Sequence, residues 1–205
     1  MDLQVLLVFW AGFGLAVMSP GPNFAMLLGT AARDGRATAV AAASGMALGE
    51  LVWGLAAVLG LGALANAHPR IMTLVSWGGG TYLLYLAVQC WRAAWRGQPP
   101  EIYADTEPRP GSGFGRGLAV MLLNGKAGAF WVALAGILVK ASATTPTIMA
   151  AILGAMAISL AWHVLLALAL SAETITRLYR RIQRGFDAVL GTVLAGLAVR
   201  LLLSP

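Results

Sequence analysis

The chain has 205 residues, of which 59% are hydrophobic and only 11% are charged. A water-soluble domain of this length would expose apolar patches over much of its surface, so the composition excludes an ordinary soluble protein. The formal net charge of +6 fits loops that face an anionic membrane leaflet, and we expect no nucleic-acid partner. Cys90 is the only cysteine, which excludes an internal disulfide and a thiolate metal cluster.

The apolar runs predict six membrane-spanning helices, because about 20 apolar residues cross the hydrocarbon core as one helix. In chain order these runs are residues 3–32, 37–67, 71–91, 117–139, 148–170 and 186–203. Asp187 and Arg200 lie near the ends of the sixth run, from which we expect them to reach the membrane interface. The tryptophans are scattered along the chain, and we expect several of them at interfaces.

Lys and Arg are distributed unevenly among the predicted connections. Ten of them fall in the first, third and fifth connections and three on the other side, which places the ten on the cytoplasmic side. The Pro- and Gly-rich third connection, 97–116, is therefore predicted to be a flexible cytoplasmic loop. In the fifth connection, four arginines share one helical face and predict a short helix near anionic lipid headgroups, with a solvated anchor as the alternative: Arg177, Arg180, Arg181 and Arg184.

The two halves of the chain resemble each other. Residues 80–88 match residues 191–199 at six of nine positions. A three-span unit duplicated in tandem is inverted the second time, because three is odd. The sequence thus predicts an all-α integral membrane protein of two inverted three-helix repeats, about 1–96 and 117–205. Such repeats are typical of secondary transporters, whose sites lie where broken helices meet; chance similarity among small apolar residues is the alternative.

Two breaks are predicted, one in the first span and one in the fourth. Pro20-Gly21-Pro22 should end a helix around Met18 and restart one near Asn23, because proline removes a backbone hydrogen bond. The restarted helix would present unpaired N–H groups that favour a carboxylate, and Asn23 can add an amide. Asn124-Gly125-Lys126 is the rough counterpart in the fourth span. A simple kink relieved by neighbouring helices is the alternative.

Two charged residues and one histidine lie inside the predicted spans, away from their ends. Burying Glu50 or Lys126 alone costs at least ~2.5 kcal/mol, so each should face a partner or a wet cavity. In a functional interpretation Lys126 binds a substrate carboxylate, while Glu50 binds its ammonium group or carries a coupling proton. The alternative is a structural ion pair between the two. His163 is a second candidate for proton transfer, although a lone histidine beside Trp162 also fits a packed helix residue.

Several motifs resemble the LysE/RhtB family of amino-acid exporters over essentially the whole chain. They are Pro20-Gly21-Pro22-Asn23, Gly35-Arg36, Gly45-Met46-Ala47-Leu48-Gly49, Tyr82-Leu83-Leu84-Tyr85-Leu86 and Leu123-Asn124-Gly125-Lys126. The resemblance implies proton-driven export of amino acids or related zwitterionic metabolites across a bacterial plasma (inner) membrane. It also implies a substrate site formed by the first motif with Asn124 and Lys126 opposite. The family usually has Asn-Pro-Lys where this chain has Gly125.

Other functions are less well supported by the motifs. The sequence contains no Gly-x-Ser-x-Gly elbow, no His-Glu-x-x-His and no acidic metal-ligand cluster within the runs, so we expect no enzyme, cofactor or resident metal. An exporter of another small solute or of a metal ion, or a membrane protein that does not transport, are the alternatives. The expected partners are an amino-acid substrate and membrane lipids, and a homodimer is compatible with the sequence.

Overall fold

A computed structural model describes residues 2–19, 22–67, 69–96, 112–169 and 173–203. Within these ranges the regular elements are all α-helices, which confirms the predicted all-α class for this part of the chain. They are α1 (Leu3–Met18), α2 (Pro22–Ala67), α3 (Pro69–Arg96), α4 (Gly113–Leu122), α5 (Gly125–Lys140), α6 (Thr145–Ala169) and α7 (Glu173–Leu203).

The described helices include several that suit a membrane. Three stretches are long and apolar enough to cross it, namely Met26–Ala63, Thr145–Ala169 and Arg184–Leu203, and α4 with α5 forms a fourth, bent by 61°. Large apolar side chains such as Leu59 and Leu74 are exposed, as expected for surfaces in contact with lipid. The chain is therefore a multi-pass membrane protein. That it crosses the membrane six times remains a prediction.

The first helix break lies where it was predicted. Helix α1 ends at Met18, and the Ser19 backbone that follows is extended, with φ −65° and ψ 135°. Helix α2 begins at Pro22, the position in a helix where a missing N–H group costs least. Pro20 and Gly21 lie outside the described residues.

Helix α2 contains the connection that we expected between the first two spans. Its 46 residues would extend about 69 Å at the normal helical rise, more than twice the thickness of a hydrocarbon core. The helix is kinked at Gly35, with φ 84° and ψ 169°, a backbone region that only glycine occupies readily. The chain thus turns at one residue instead of through a loop around Arg33 and Arg36.

The second break separates α4 from α5. The Ser112 side chain accepts a hydrogen bond from the Gly115 N–H at 3.1 Å and starts α4 at Gly113, inside the predicted 97–116 loop. The N-terminal cap of α5 is Asn124, so Gly125 is the first residue of that helix. Residues 97–111 lie outside the described ranges.

Helix α7 differs from expectation in two respects. The predicted surface helix and the predicted sixth span form one continuous helix, because no proline separates them and Gly185 alone does not end a helix. Arg184 is exposed, and the side chains of Arg177, Arg180 and Arg181 lie outside the described residues. Asp187 does not reach the interface, since its position turns it inward and only 3% of the residue is exposed.

Close backbone contact joins α2 to α4. A Cβ atom on Gly45 would overlap the Phe114 carbonyl oxygen, and one on Gly117 would overlap the Ala42 carbonyl oxygen. Small residues permit this approach, which brings the helix backbones within van der Waals contact. Helix α2 also packs against α5 and α6, and α3 packs against α7. Because α2 turns back at Gly35, both helix breaks lie beside the part of α2 around Glu50.

Candidate functional site

A cavity of about 90 Å³ lies beside the two helix breaks. Helices α1, α2, α3, α5, α6 and α7 all contribute to its wall. One part of the wall is apolar, including Phe13, Leu86 and Leu194. Polar side chains line the rest: Ser19, Asn23, Glu50, Asn124, Lys126 and His163.

Five of the residues singled out in the sequence line this one cavity: Asn23, Glu50, Asn124, Lys126 and His163. Gly125 lies at the start of α5 between two of them but does not line the wall. Pro22 begins α2, and Pro20 and Gly21 are outside the described residues. The fold thus collects residues from four separate predicted spans around one space.

Glu50 is buried in α2, with 5% of the residue exposed. Its Oε2 atom accepts a hydrogen bond from the indole Nε1–H of Trp131. Indole nitrogen can only donate, so this bond occupies one lone-pair region of one carboxyl oxygen. Glu50 also lines the cavity, and a carboxyl group has further lone pairs beyond the one that this bond occupies.

Lys126 is an exposed residue in the first turn of α5. The Asn124 side-chain oxygen accepts hydrogen bonds from the N–H groups of Lys126 and Ala127, at 3.1 and 3.3 Å. The Tyr82 hydroxyl donates to the Lys126 carbonyl oxygen at 3.3 Å. These bonds fix the backbone of Lys126 and do not involve its ammonium group. Within the described ranges, Lys126 and Glu50 do not form the ion pair considered as an alternative.

The side-chain oxygen of Asn23, at the start of α2, is buried. The Asn23 Nδ2 atom approaches the Met121 sulfur at 3.9 Å, and the Oδ1 atom has no hydrogen-bond partner in the described part of the chain. An unsatisfied buried acceptor costs about 1–3 kcal/mol. A solute that donates a hydrogen bond here would remove that cost.

His163 is held in one orientation by its own helix. Its Nδ1 atom lies 2.9 Å from the Ser159 carbonyl oxygen and 3.1 Å from the Ser159 hydroxyl oxygen. A carbonyl oxygen can only accept, so Nδ1 carries a proton, and the Nε2 atom of the neutral ring is an acceptor. The histidine is buried, with 1% of the residue exposed.

Sequence reasoning missed the role of Trp131. We expected several tryptophans at interfaces, but Trp131 is fully buried, and its indole packs against Phe13 at 5.4 Å between ring centroids. No pattern along α5 distinguishes it from a lipid-facing tryptophan, since its carboxyl partner is 81 positions away in the chain. Only the register between α2 and α5 identifies it.

Comparison with known proteins identifies the family. Residues 14–205 match the family of LysE type translocators. The chain belongs to this family. As a LysE type translocator it is a membrane transporter and not an enzyme.

Similar translocators occur in enteric bacteria. The chain is 28% identical over 197 residues to the "Threonine efflux protein" of Escherichia coli (strain K12), covering 93% of each chain. It is 29% identical over 199 residues to the protein of that name in Salmonella typhi, again covering 93% of each. The "Uncharacterized membrane protein YahN" of Escherichia coli (strain K12) is 28% identical over 193 residues, covering 93% of this chain and 85% of that one. No solved structure matches the chain.

Proposed function

We propose that this translocator exports amino acids or related small zwitterionic metabolites through the cavity. The observation that carries the proposal is that an acid, Glu50, and a base, Lys126, line the same small space without pairing with each other. A zwitterion carries one charge of each sign and is therefore complementary to both. The relatives named threonine efflux proteins support the same class of substrate.

The size of the cavity also favours a small solute. A volume of about 90 Å³ corresponds to roughly six to nine water-sized positions, at about 10–15 Å³ for each. A free amino acid with a short side chain has a similar number of non-hydrogen atoms.

The charges suggest one orientation for the bound solute. The substrate carboxylate would contact the Lys126 ammonium group and the positive end of α2, where Asn23 lines the wall. The substrate ammonium group would donate to the Glu50 carboxyl group and to Asn23 Oδ1, the buried acceptor without a partner in the described residues. The side chain would then face the apolar part of the wall.

We further propose that export is driven by protons and works by alternating access in a bacterial inner membrane. Glu50 is the first candidate for the proton carrier and His163 the second, because both are ionisable and both line the cavity. Helix α2 of the first half packs against α4 of the second, and α1 of the first half packs against α6 of the second. In each pair, a helix that ends at a break contacts a helix of the other half that comes after that half's own break. This reciprocal packing supports six spans in two inverted repeats.

Lipids are proposed as a second kind of partner. Arg177, Arg180, Arg181 and Arg184 recur in the first half of α7, and Arg184 is exposed. Their spacing places them on one helical face, where they suit anionic headgroups. Replacing the four by glutamine should reduce the amount of anionic lipid retained by the detergent-purified protein more than the amount of neutral lipid, and unchanged retention of anionic lipid would contradict lipid contact.

The first experiment measures export from cells preloaded with dipeptides, which release amino acids inside. Expression of the chain should increase the appearance of a small amino acid outside. Glu50→Gln and Lys126→Ala should each reduce this export at least tenfold, the effect of losing one charge-assisted contact of about 1.5–3 kcal/mol. Arg96→Ala, at the exposed end of α3, is the matched control. Normal export by both cavity variants would contradict the proposed site.

The second experiment uses the single cysteine as a reporter of binding. Cys90 lines the cavity and is the only thiol in the chain, so the slow labelling of this buried thiol by a small membrane-permeant maleimide reports on the cavity alone. A transported amino acid should slow labelling in vesicles, and D-lactate of equal concentration should not. Cys90→Ser gives the baseline. Labelling that is indifferent to every amino acid would mean that substrate does not occupy this cavity.

A further inference from the structure

Two tryptophans and two glycines interlock α2 with α5. The Trp131 indole of α5 lies over Gly54 of α2, where an added Cβ atom would be 2.9 Å from Trp131 Cζ3. The Trp53 indole of α2 lies over Gly128 of α5, where an added Cβ atom would be 2.6 Å from Trp53 Cη2. Each helix therefore supplies one large ring and the gap that receives the other.

The two indoles are packed alike but donate to different acceptors. Trp53 Nε1–H donates to the Met121 carbonyl oxygen at 3.1 Å, at the end of α4. Trp131 Nε1–H donates to the Glu50 carboxyl group. The first bond ties down a backbone, whereas the second holds a side chain that faces the cavity.

Trp131 itself has little freedom to move. It is 0% exposed, and Phe9 and Phe13 contact it at centroid distances of 6.0 and 5.4 Å. The Trp131 ring is held between Phe9 and Phe13 on one side and Gly54 on the other, so the position of its N–H group is fixed. Glu50, in contrast, has a flexible stem and would adopt several rotamers if no donor held it.

We propose that Trp131 is a positioning residue for substrate binding, acting through Glu50. By engaging Oε2, the indole presents the other carboxyl oxygen to the ammonium group of the substrate. The Gly54 gap is part of the same device, because it sets the position of the ring. This inference rests on the proposed function, in which Glu50 binds a zwitterion.

The test compares Trp131→Phe with Trp53→Phe. Both variants keep an aromatic ring and remove one indole N–H, but only Trp131→Phe removes the bond to Glu50. The amino-acid concentration that half-protects Cys90 from maleimide should rise about tenfold or more in Trp131→Phe. In Trp53→Phe it should rise less than about threefold, because the lost bond ends on the Met121 backbone and on no group that lines the cavity. Equal changes in the two variants would overturn the proposal.

A double-mutant cycle separates positioning from a general effect on cavity shape. In a Glu50→Ala background, Trp131→Phe should change the half-protecting concentration by less than about twofold, because the residue through which it acts is missing. The same tenfold change in both backgrounds would show that Trp131 acts independently of Glu50 and would overturn the proposal. The proposed function would survive that result, since it is contradicted instead by a wild-type protein that no amino acid protects, or by normal export in the Glu50 and Lys126 variants.

A second variant covers the case in which Trp131→Phe does not insert into the membrane. Gly54→Ala places a methyl group 2.9 Å from the indole and 3.1 Å from Ile152 Cγ2, which forces the ring to move. It should weaken substrate protection in the wild-type background and have little further effect with Glu50→Ala. Undiminished protection in Gly54→Ala would contradict the role of the ring position.

Discussion

Helix α2 makes two contacts of opposite character. Toward α4 it presents small residues, and the two backbones touch where Gly45 meets Phe114 and where Ala42 meets Gly117. Toward α5 it presents Glu50 and Trp53, and large rings fill the space between the helices. The first contact has no room for a solute, while the second borders the cavity.

This difference indicates that one side of α2 contributes mainly to the stability of the fold and the other side mainly to transport. Close backbone packing in the membrane tolerates little change, because added atoms find no space. The α5 side instead contains hydrogen-bonded and charged groups that a solute can engage. We therefore expect substitutions on the α4 side to reduce the amount of folded protein, and substitutions on the α5 side to reduce transport by protein that is folded. Four measurements test this division.

The largest expected effect is that of Gly117→Leu. Its side chain would overlap the backbone of Ala42, so the free energy of unfolding should fall by at least about 3 kcal/mol. Thermal unfolding in detergent and the monodisperse fraction on gel filtration measure the loss. The control is Gly196→Ala, where nothing lies within 4 Å of an added Cβ atom. A Gly117→Leu variant as stable as wild type would show that α2 and α4 are not in backbone contact.

Asp34→Asn should have the next largest effect, again on stability. The Arg116 Nη2 atom lies 2.6 Å from Asp34 Oδ2, and the two side chains are 14% and 34% exposed. Losing the carboxylate leaves a largely buried cation and should cost about 1–3 kcal/mol, between the values for surface and buried pairs.

The double variant Asp34→Asn/Arg116→Met should recover part of the stability lost in Asp34→Asn, which thermal unfolding measures. Export per folded molecule should remain near the wild-type level in both variants. A tenfold loss of export with unchanged stability would mean that the part of α2 around Asp34 takes part in transport, and would contradict the proposed difference between the two sides of α2.

His163→Gln should have a smaller effect, and on transport. The histidine lines the cavity and is anchored to Ser159, so its loss should reduce export about two- to tenfold, the range for one neutral hydrogen bond. Export should still respond to an imposed pH gradient in vesicles if Glu50 carries the proton. Loss of the pH response in His163→Gln, with retained export, would assign the proton to His163.

Gly125→Pro should have the smallest effect. Residue 125 is the first of α5, and nothing lies within 4 Å of an added Cβ atom. Proline is favourable at that position, so stability should rise by up to about 1 kcal/mol, and export should stay within twofold. Thermal unfolding and the dipeptide assay check both. A large loss of export would mean that the Gly125 N–H group contacts substrate.

The sequence predicted the parts of the molecule that depend on local chemistry. The Pro-Gly-Pro run predicted the end of α1 at Met18, because proline acts on the backbone that carries it. The cost of burying a charge indicated that Glu50 and Lys126 face a cavity or a partner. The charged residues Arg33, Asp34 and Arg36 predict a loop between two spans, whereas the chain remains helical there and turns at Gly35 alone.

The parts that depend on helix register were not predictable in the same way. Whether Trp131 meets lipid or Glu50 is decided by how α5 is rotated against α2, and neighbouring residues do not encode that rotation. Asp187 was expected at the interface because it is near the end of an apolar run, yet α7 turns it inward, where it is 3% exposed. In both cases the orientation of the side chain on its helix decides its surroundings.

The interlocked rings and gaps of α2 and α5 constrain how this protein can diverge. Any residue larger than glycine at 54 or 128 collides with a tryptophan on the opposite helix, unless that tryptophan has already been replaced by something smaller. Positions 54 and 131, and positions 53 and 128, should therefore change together among descendants of a common ancestor. Enlarging the glycine alone would make it clash with the opposite tryptophan, and shrinking the tryptophan alone would leave a cavity over the glycine.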